Sequence, residues 1–182
     1  MASWLISNLS RGGMCVWRSA SAWRAPRPGA LLGCACALGQ LVATADWTLV
    51  EHARAFGERL GLAFQLVDDI LGIWGNPAVT GKVIHSDLAA HKKSLPVVAA
   101  LTSETPAGRE LALLYDGGEP LSADDIARAA ALVAASGGRA WSEAEASRQL
   151  TAALGELRGA QASGRAAAEL EALARLVTTR DH

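Results

Sequence analysis

The sequence predicts an all-α protein, on three observations. Leu49, Phe56, Leu60, Val67 and Leu71 recur at spacings of four and seven, the stripe that a buried helix face requires. Hydrophobic residues make up 51% of the chain and aromatics only 5%, with alanine abundant, a composition suited to helices packed closely through small side chains. Breaker clusters such as Gly75-Asn76-Pro77 and Asp116-Gly117-Gly118 separate the apolar stretches at helix-length intervals. A chain of 182 residues can build one ordinary domain with a real core.

Residues 1–26 carry Trp4, Trp17 and Trp23 among Ser, Gly and Arg with no sustained helical period, and are expected to be a disordered or misassigned leader. Their Arg- and Ser-rich, acid-free composition is also that of a transit peptide, but no short apolar run ends in a secretory cleavage site. Residues 27–182 are expected to form the folded portion. From Pro28 to Ala45 an uncharged run of 18 residues touches the length of a membrane span. Gly29, Gly33, Gly39, Gln40 and Thr44 dilute it, so a buried helix opening comfortably at a proline is expected, and no transmembrane segment. Asp46 is placed to cap the next helix, on which Arg54 and Glu58, four apart, read as a surface pair. That helix should fade near Gly72. A loop to Asp87 follows, carrying Lys82 and His85; His52, His85 and His91 are expected to face solvent.

Further helices are expected over His91–Thr102, from Pro106 to Tyr115, and over 124–135, 138–158 and 161–178. Asp124-Asp125 resembles an acidic motif, but Ser122-x-x-Asp125 is the start signal of a helix. Leu150, Leu154 and Leu157 form a core stripe.

Charge and cysteine content exclude several classes. A formal charge of −1 provides no basic field for gathering nucleic acid. Cys15, Cys34 and Cys36 lack the spacing and the His/Cys partners of a zinc site or a disulfide framework. They suit buried thiols in a reducing, cytoplasmic setting. No repeat, dinucleotide-binding glycine pattern, P-loop or Ser-His-Asp arrangement is present.

The stretch 61–96, GLAFQLVDDILGIWGNPAVTGKVIHSDLAAHKKSLP, carries the chemistry. At about 100° per residue, Gly61, Gln65, Asp68 and Gly72 fall within roughly 60° of one another, with Asp69 just beside them. Carboxylates flanked by glycines suit a divalent cation and phosphate, because Mg²⁺ takes hard oxygen ligands and is commonly completed by substrate phosphates. The bland alternative is a solvated helix end with scattered ion pairs.

In order, Gly61, Phe64-Gln65, Asp68-Asp69, Gly81-Lys82, Asp87, Lys92, Ser94 and Pro96 resemble the second aspartate-rich region of the trans-type polyprenyl diphosphate synthases, the all-helical isoprenoid synthases. One place departs: Gly72 stands where the pattern has its third aspartate. The resemblance implies an isoprenoid-synthase-type helical bundle and Mg²⁺-dependent transfer of an allylic diphosphate to isopentenyl diphosphate. It implies Asp68, Asp69 and Asp87 as metal-binding and Lys82, Lys92, Gln65 and Arg27 as diphosphate-binding, with Asp68, Asp69, Lys82 and Lys92 the catalytic set. Arg27-Pro28 fills the place of a family Lys-Thr pair, keeping charge and losing a hydroxyl.

The family also has an earlier Asp-Asp-x-x-Asp on a facing helix, and no acid precedes Asp46 here. The chain is therefore expected to be a C-terminal portion with the N-terminal half missing, inactive alone. The alternative is a non-catalytic subunit that binds a partner or diphosphate. The resemblance implies a homo-oligomer or a partner subunit. No Asn/Asp-x-x-Ser/Thr-x-x-x-Glu motif of a terpene cyclase occurs.

Overall fold

The computed structural model describes residues 27–81, 83–117, 120–162 and 164–178; the leader expected over 1–26 lies outside them. Among the described residues the elements are helices alone: α1 (Arg27–Thr44), α2 (Trp47–Trp74), α3 (Pro77–Thr80), α4 (Ser86–Ala89), α5 (Leu95–Leu101), α6 (Pro106–Asp116), α7 (Ala123–Ala135), α8 (Gly138–Gly159) and α9 (Gly164–Thr178). None is long and apolar enough to cross a membrane.

The helix starts follow local chemistry. Asp46 Oδ1 accepts from the Thr48 N–H at 2.8 Å, and Ser122 Oγ accepts from the Asp125 N–H at 3.2 Å. Each satisfies a donor that a helix leaves unpaired at its first turn. Thr105 caps α6 in the same way through Gly108.

The chain divides into two compact units. One runs over Asp69–Ser142 and has a core of Ile73, Leu88, Val97, Leu111 and Val133, closed by the small Ala100, Ala129 and Ala130. At its edge the Arg139 guanidinium lies 5.1 Å from the ring centre of Trp74. The other combines residues 27–68 with those from Glu143, around Phe56, Leu60, Leu154, Leu157 and Ala174. Leu150 packs against that core, as the spacing predicts. There α1 crosses α2 at backbone contact: a Cβ on Gly57 would strike the Leu32 carbonyl and come within 2.6 Å of the Gly33 nitrogen.

Several expectations are corrected. The helix of the uncharged run is present, but it is not buried: Leu31, Leu38 and Val42 are 71%, 56% and 89% exposed. A helix without charge needs no buried surroundings if it is kept by a few contacts along one side. Its two thiols follow suit, Cys34 being exposed and Cys36 half-buried. The 75–87 stretch contains short α3 and α4 rather than loop throughout, and α2 continues to Trp74. Helix begins at Leu95 and not at His91, because Ser94 takes the extended N-cap conformation and Pro96 needs a first-turn place. Arg54 pairs with Glu51, at 3.2 Å, rather than with Glu58.

The histidines are likewise not simply solvent-facing. His52 Nδ1 lies 2.9 Å from Glu156 Oε2. His85 Nδ1–H donates to the Ile73 carbonyl at 2.5 Å. His91 stacks at a tilt on Tyr115, ring centres 5.3 Å apart.

Candidate functional site

The Asp69–Ser142 unit brings together three of the predicted site residues. Asp69 projects from α2, Asp87 from α4, and Lys92 from the turn before α5. The Lys92 ammonium donates to Asp69 Oδ1 at 3.1 Å and to Asp87 Oδ2 in a short ion pair. Asp69 is 0% exposed. Its second oxygen, Oδ2, accepts the Leu95 N–H at 2.8 Å, so the same carboxylate holds the lysine and caps α5, where a negative charge meets the positive end of the helix dipole. A carboxylate this deeply buried persists only when paired and hydrogen-bonded.

The turn that carries this arrangement is set by its backbone. His85 and His91, on either side of α4, have φ of 61° and 47°, left-handed values that cost a residue with a Cβ about 1–2 kcal/mol. Hydrogen bonds offset it locally. The His85 N–H donates to the Ile73 carbonyl at 3.2 Å, and the Lys92 N–H to the Asp87 carbonyl at 2.8 Å. Ser86 Oγ donates to the Gly72 carbonyl at 3.4 Å. The α4 segment is thus fastened to the end of α2.

The Lys92 side chain is 25% exposed. Burial alone would lower its pKa, but hydrogen bonds and charge from Asp87 and Asp69 outweigh that and raise it above 10.5. The ammonium therefore stays charged through neutral pH, and its contribution to stability fades only as pH rises through that raised value.

Tyr115 adds a spectroscopic handle. Its pKa is pushed up to about 12, first by burial and then by the negative charge of Asp87. The folded state disfavours tyrosinate, so stability should fall as pH climbs above the ordinary tyrosine value near 10. Tyr115 is the one tyrosine of the sequence. Absorbance at about 295 nm should thus titrate near 12 when folded and near 10 in denaturant. Asp87→Asn should lower the folded value without abolishing the shift, because burial is the larger cause.

Other predicted residues stand differently. Gln65 and Asp68 are half-buried on α2 and belong to the other unit. Lys82 and the Arg27 side chain lie outside the described residues, as therefore do the diphosphate contacts expected of them. Among the described residues no three His, Cys, Asp or Glu side chains converge closely enough to hold an ion unaided. Carboxylate oxygen is the donor type that a hard divalent cation takes when water and phosphate complete its shell, but both oxygens of Asp69 are engaged by Lys92 and the Leu95 N–H.

Two contributors lie beyond the motif itself. The Leu95 N–H is a backbone donor and leaves no mark in the residue type. The depth of Asp69 does leave a signal: it lies three after Leu66 and four before Ile73, both fully buried, on a second buried side of α2 distinct from the Phe56–Leu60–Val67 stripe.

Comparison with known proteins identifies the family. The polyprenyl synthetase family model matches residues 26–133. A geranylgeranyl diphosphate synthase of Mycobacterium tuberculosis is 46% identical over 157 residues, which are 86% of this chain and 44% of that protein. A polyprenyl synthetase of Streptomyces coelicolor superposes with TM-score 0.79 at 41% identity, over 84% of this chain and 47% of the other. A geranylgeranyl pyrophosphate synthase of Corynebacterium glutamicum, solved with calcium and isoprenyl diphosphate, gives TM-score 0.70 at 30% identity, over 84% and 46%. The chain spans about half the length of the relatives it matches.

Proposed function

We propose, for a chain that belongs to the polyprenyl synthetase family, that residues 61–96 are the diphosphate-binding wall of an isoprenyl diphosphate synthase, completed by a facing half that carries the other aspartate-rich region. The observation that carries this reading is Lys92, a part-exposed ammonium held between a buried and a nearly buried carboxylate.

In the proposed reaction the C–O bond of an allylic diphosphate breaks, and the electron pair leaves with pyrophosphate. The double bond of isopentenyl diphosphate attacks the carbocation, and a proton is then lost. Negative charge grows on the departing oxygens, and donors fixed in advance stabilise it most. Lys92 donates to those oxygens. Asp69 keeps the ammonium aimed without itself reaching solvent. Asp87 would offer carboxylate oxygen to Mg²⁺ or its waters; the resemblance adds Asp68 and Asp69 as metal-binding and Gln65, Lys82 and Arg27 as diphosphate-binding, and the burial of Asp69 favours the positioning role over direct ligation. Mg²⁺, when bound, supplies positive charge to the leaving group.

No acid precedes Asp46, so the chain alone offers one side of such a cavity. Ionisation with the second substrate aligned for attack needs both sides, and alignment accounts for several kcal/mol of barrier. Pyrophosphate binding that requires Mg²⁺ is therefore expected without turnover. Calorimetric titration should detect that binding, weakened by Asp68→Asn and by Lys92→Ala. Radiolabelled isopentenyl diphosphate with dimethylallyl, geranyl or farnesyl diphosphate should yield product only when an N-terminal half from a relative is added. Failure to bind pyrophosphate at any Mg²⁺ concentration sinks the reading. Addition of an N-terminal half that docks without restoring turnover favours the non-catalytic subunit.

A further inference from the structure

Three buried side-chain polar atoms have no hydrogen-bond partner among the described residues: His91 Nε2, Ser94 Oγ and Tyr115 Oη. Native interiors pair nearly all the polar atoms they bury, so orphans grouped at one place need an explanation. His91 and Ser94 flank Lys92 in the chain, and the Tyr115 ring lies against that of His91, centres 5.3 Å apart. Tyr115 also packs on the core that holds Leu88, the neighbour of Asp87, and the negative charge of Asp87 helps to keep its hydroxyl protonated. Asp87 has a free oxygen to offer. Among the described residues Lys92 is the one donor to its carboxylate, through Oδ2. Its head rests on the bare α-carbon of Gly72, where a Cβ would lie 2.5 Å from Cγ, so position 72 gives Oδ1 no donor. His91 holds its place at a cost: its φ of 47° is one that glycine adopts freely. A strained residue kept where glycine would serve points to a task for its side chain.

We propose that one buried water is held between Tyr115, His91 and Asp87, and that Tyr115 and His91 are positioning residues that aim Lys92 through it. The water accepts the Tyr115 O–H and donates one hydrogen to Asp87 Oδ1 and the other to Nε2 of a neutral His91. Three bonds are the usual complement of an interior water, and each of the three groups then has a partner. A carboxylate tied at both oxygens does not swing about its Cβ–Cγ bond, so Oδ2 stays on the ammonium. Oδ1 keeps a second lone pair for other duty. The purpose of that aim rests on the diphosphate reading above; the water itself does not.

The full chain is compared with Tyr115→Phe, His91→Phe, Asp87→Ala and the doubles Tyr115→Phe/His91→Phe and Tyr115→Phe/Asp87→Ala. Circular dichroism first establishes that each is folded. Oxygen-17 relaxation dispersion, which sees long-lived waters and not exchanging hydroxyl protons, should lose one water in Tyr115→Phe/His91→Phe. In metal-free protein the Lys92 ammonium resonance should move in Tyr115→Phe and in His91→Phe, toward its position in Asp87→Ala. Tyr115→Phe should add no further shift in the Asp87→Ala background. Calorimetric affinity for pyrophosphate in Mg²⁺ should fall about tenfold in Tyr115→Phe, the scale on which groups supporting a metal site act.

The same number of long-lived waters in the parent and in Tyr115→Phe/His91→Phe overturns the inference. So does a Lys92 resonance that Tyr115→Phe leaves in place, even where the melting midpoint drops, since a purely structural role ends there. A shift of equal size in the Asp87→Ala background also overturns it, because Tyr115 would then act on Lys92 by another path. Unchanged pyrophosphate affinity in Tyr115→Phe removes the positioning role. If the parent chain binds no pyrophosphate, the diphosphate reading falls by itself, and the two metal-free readouts still decide the water. Should a double variant not fold, the single variants carry the comparison.

Discussion

Asp69→Ala is expected to destabilise the Asp69–Ser142 unit by about 3 kcal/mol, the scale on which removing one partner of a buried pair acts. Two separate losses contribute. Lys92 keeps Asp87 but loses its deeper counter-charge, and the Leu95 N–H loses the acceptor that caps α5. Asp69→Asn should be milder, since an amide oxygen can still accept from Leu95. The neighbouring Asp68→Asn, on a half-buried position, should cost no more than about 1 kcal/mol while weakening pyrophosphate binding. Urea melts of the three variants check the order. Equal costs at 68 and 69 would mean that burial does not separate the roles of the two acids.

The second large effect is expected at Gly57. In a helix interior Gly→Ala ordinarily gains about 1 kcal/mol. Here the added carbon meets the Leu32 carbonyl and the Gly33 nitrogen of α1, backbone atoms that cannot turn aside as a side chain could. Overpacking costs about 1–3 kcal/mol when repacking is possible, and more when it is not. A net loss of about 2 kcal/mol or more is therefore expected for Gly57→Ala. Gly39, on the other helix of the same crossing, has nothing within 4 Å of its built Cβ. Gly39→Ala should be neutral or stabilising by up to about 1 kcal/mol. Thermal melts giving the same sign for both would contradict the close crossing of α1 and α2.

Much of the fold is legible in the order of residues. The repeat through Phe56, Leu60 and Val67 fixes both the class and the core face of α2, and those three side chains are buried. The run from Gly61 to Pro96 carries the family. Other features depend on what lies opposite in space. Two adjacent aspartates look alike in a sequence, and the Phe56–Leu60–Val67 stripe does not separate them, because Asp69 faces a second buried side of α2, shared with Leu66 and Ile73 and roughly opposite that stripe. The meaning of Gly72 is not legible: as a missing ligand it looks like a loss, and the carboxylate seated on it comes from fifteen residues along the chain. The start of α5 is written in Ser94-Leu95-Pro96, where the proline outweighs the apolar residues that would extend a helix back to His91. The exposure of α1 has no signature, because a run without charge reads the same covered or bare.

That bare flank of α1 also changes what a stability measurement means for this chain. Leu31, Leu38 and Val42 fall along one stripe of the helix and stand open to water. Whatever covers the stripe in the folded chain and not in the unfolded one shifts the equilibrium by mass action. If a second copy does so, the melting temperature climbs as protein concentration increases, and no single unfolding free energy describes the molecule. Leu38→Glu with Val42→Glu should flatten that dependence while leaving the buried side of α1 untouched.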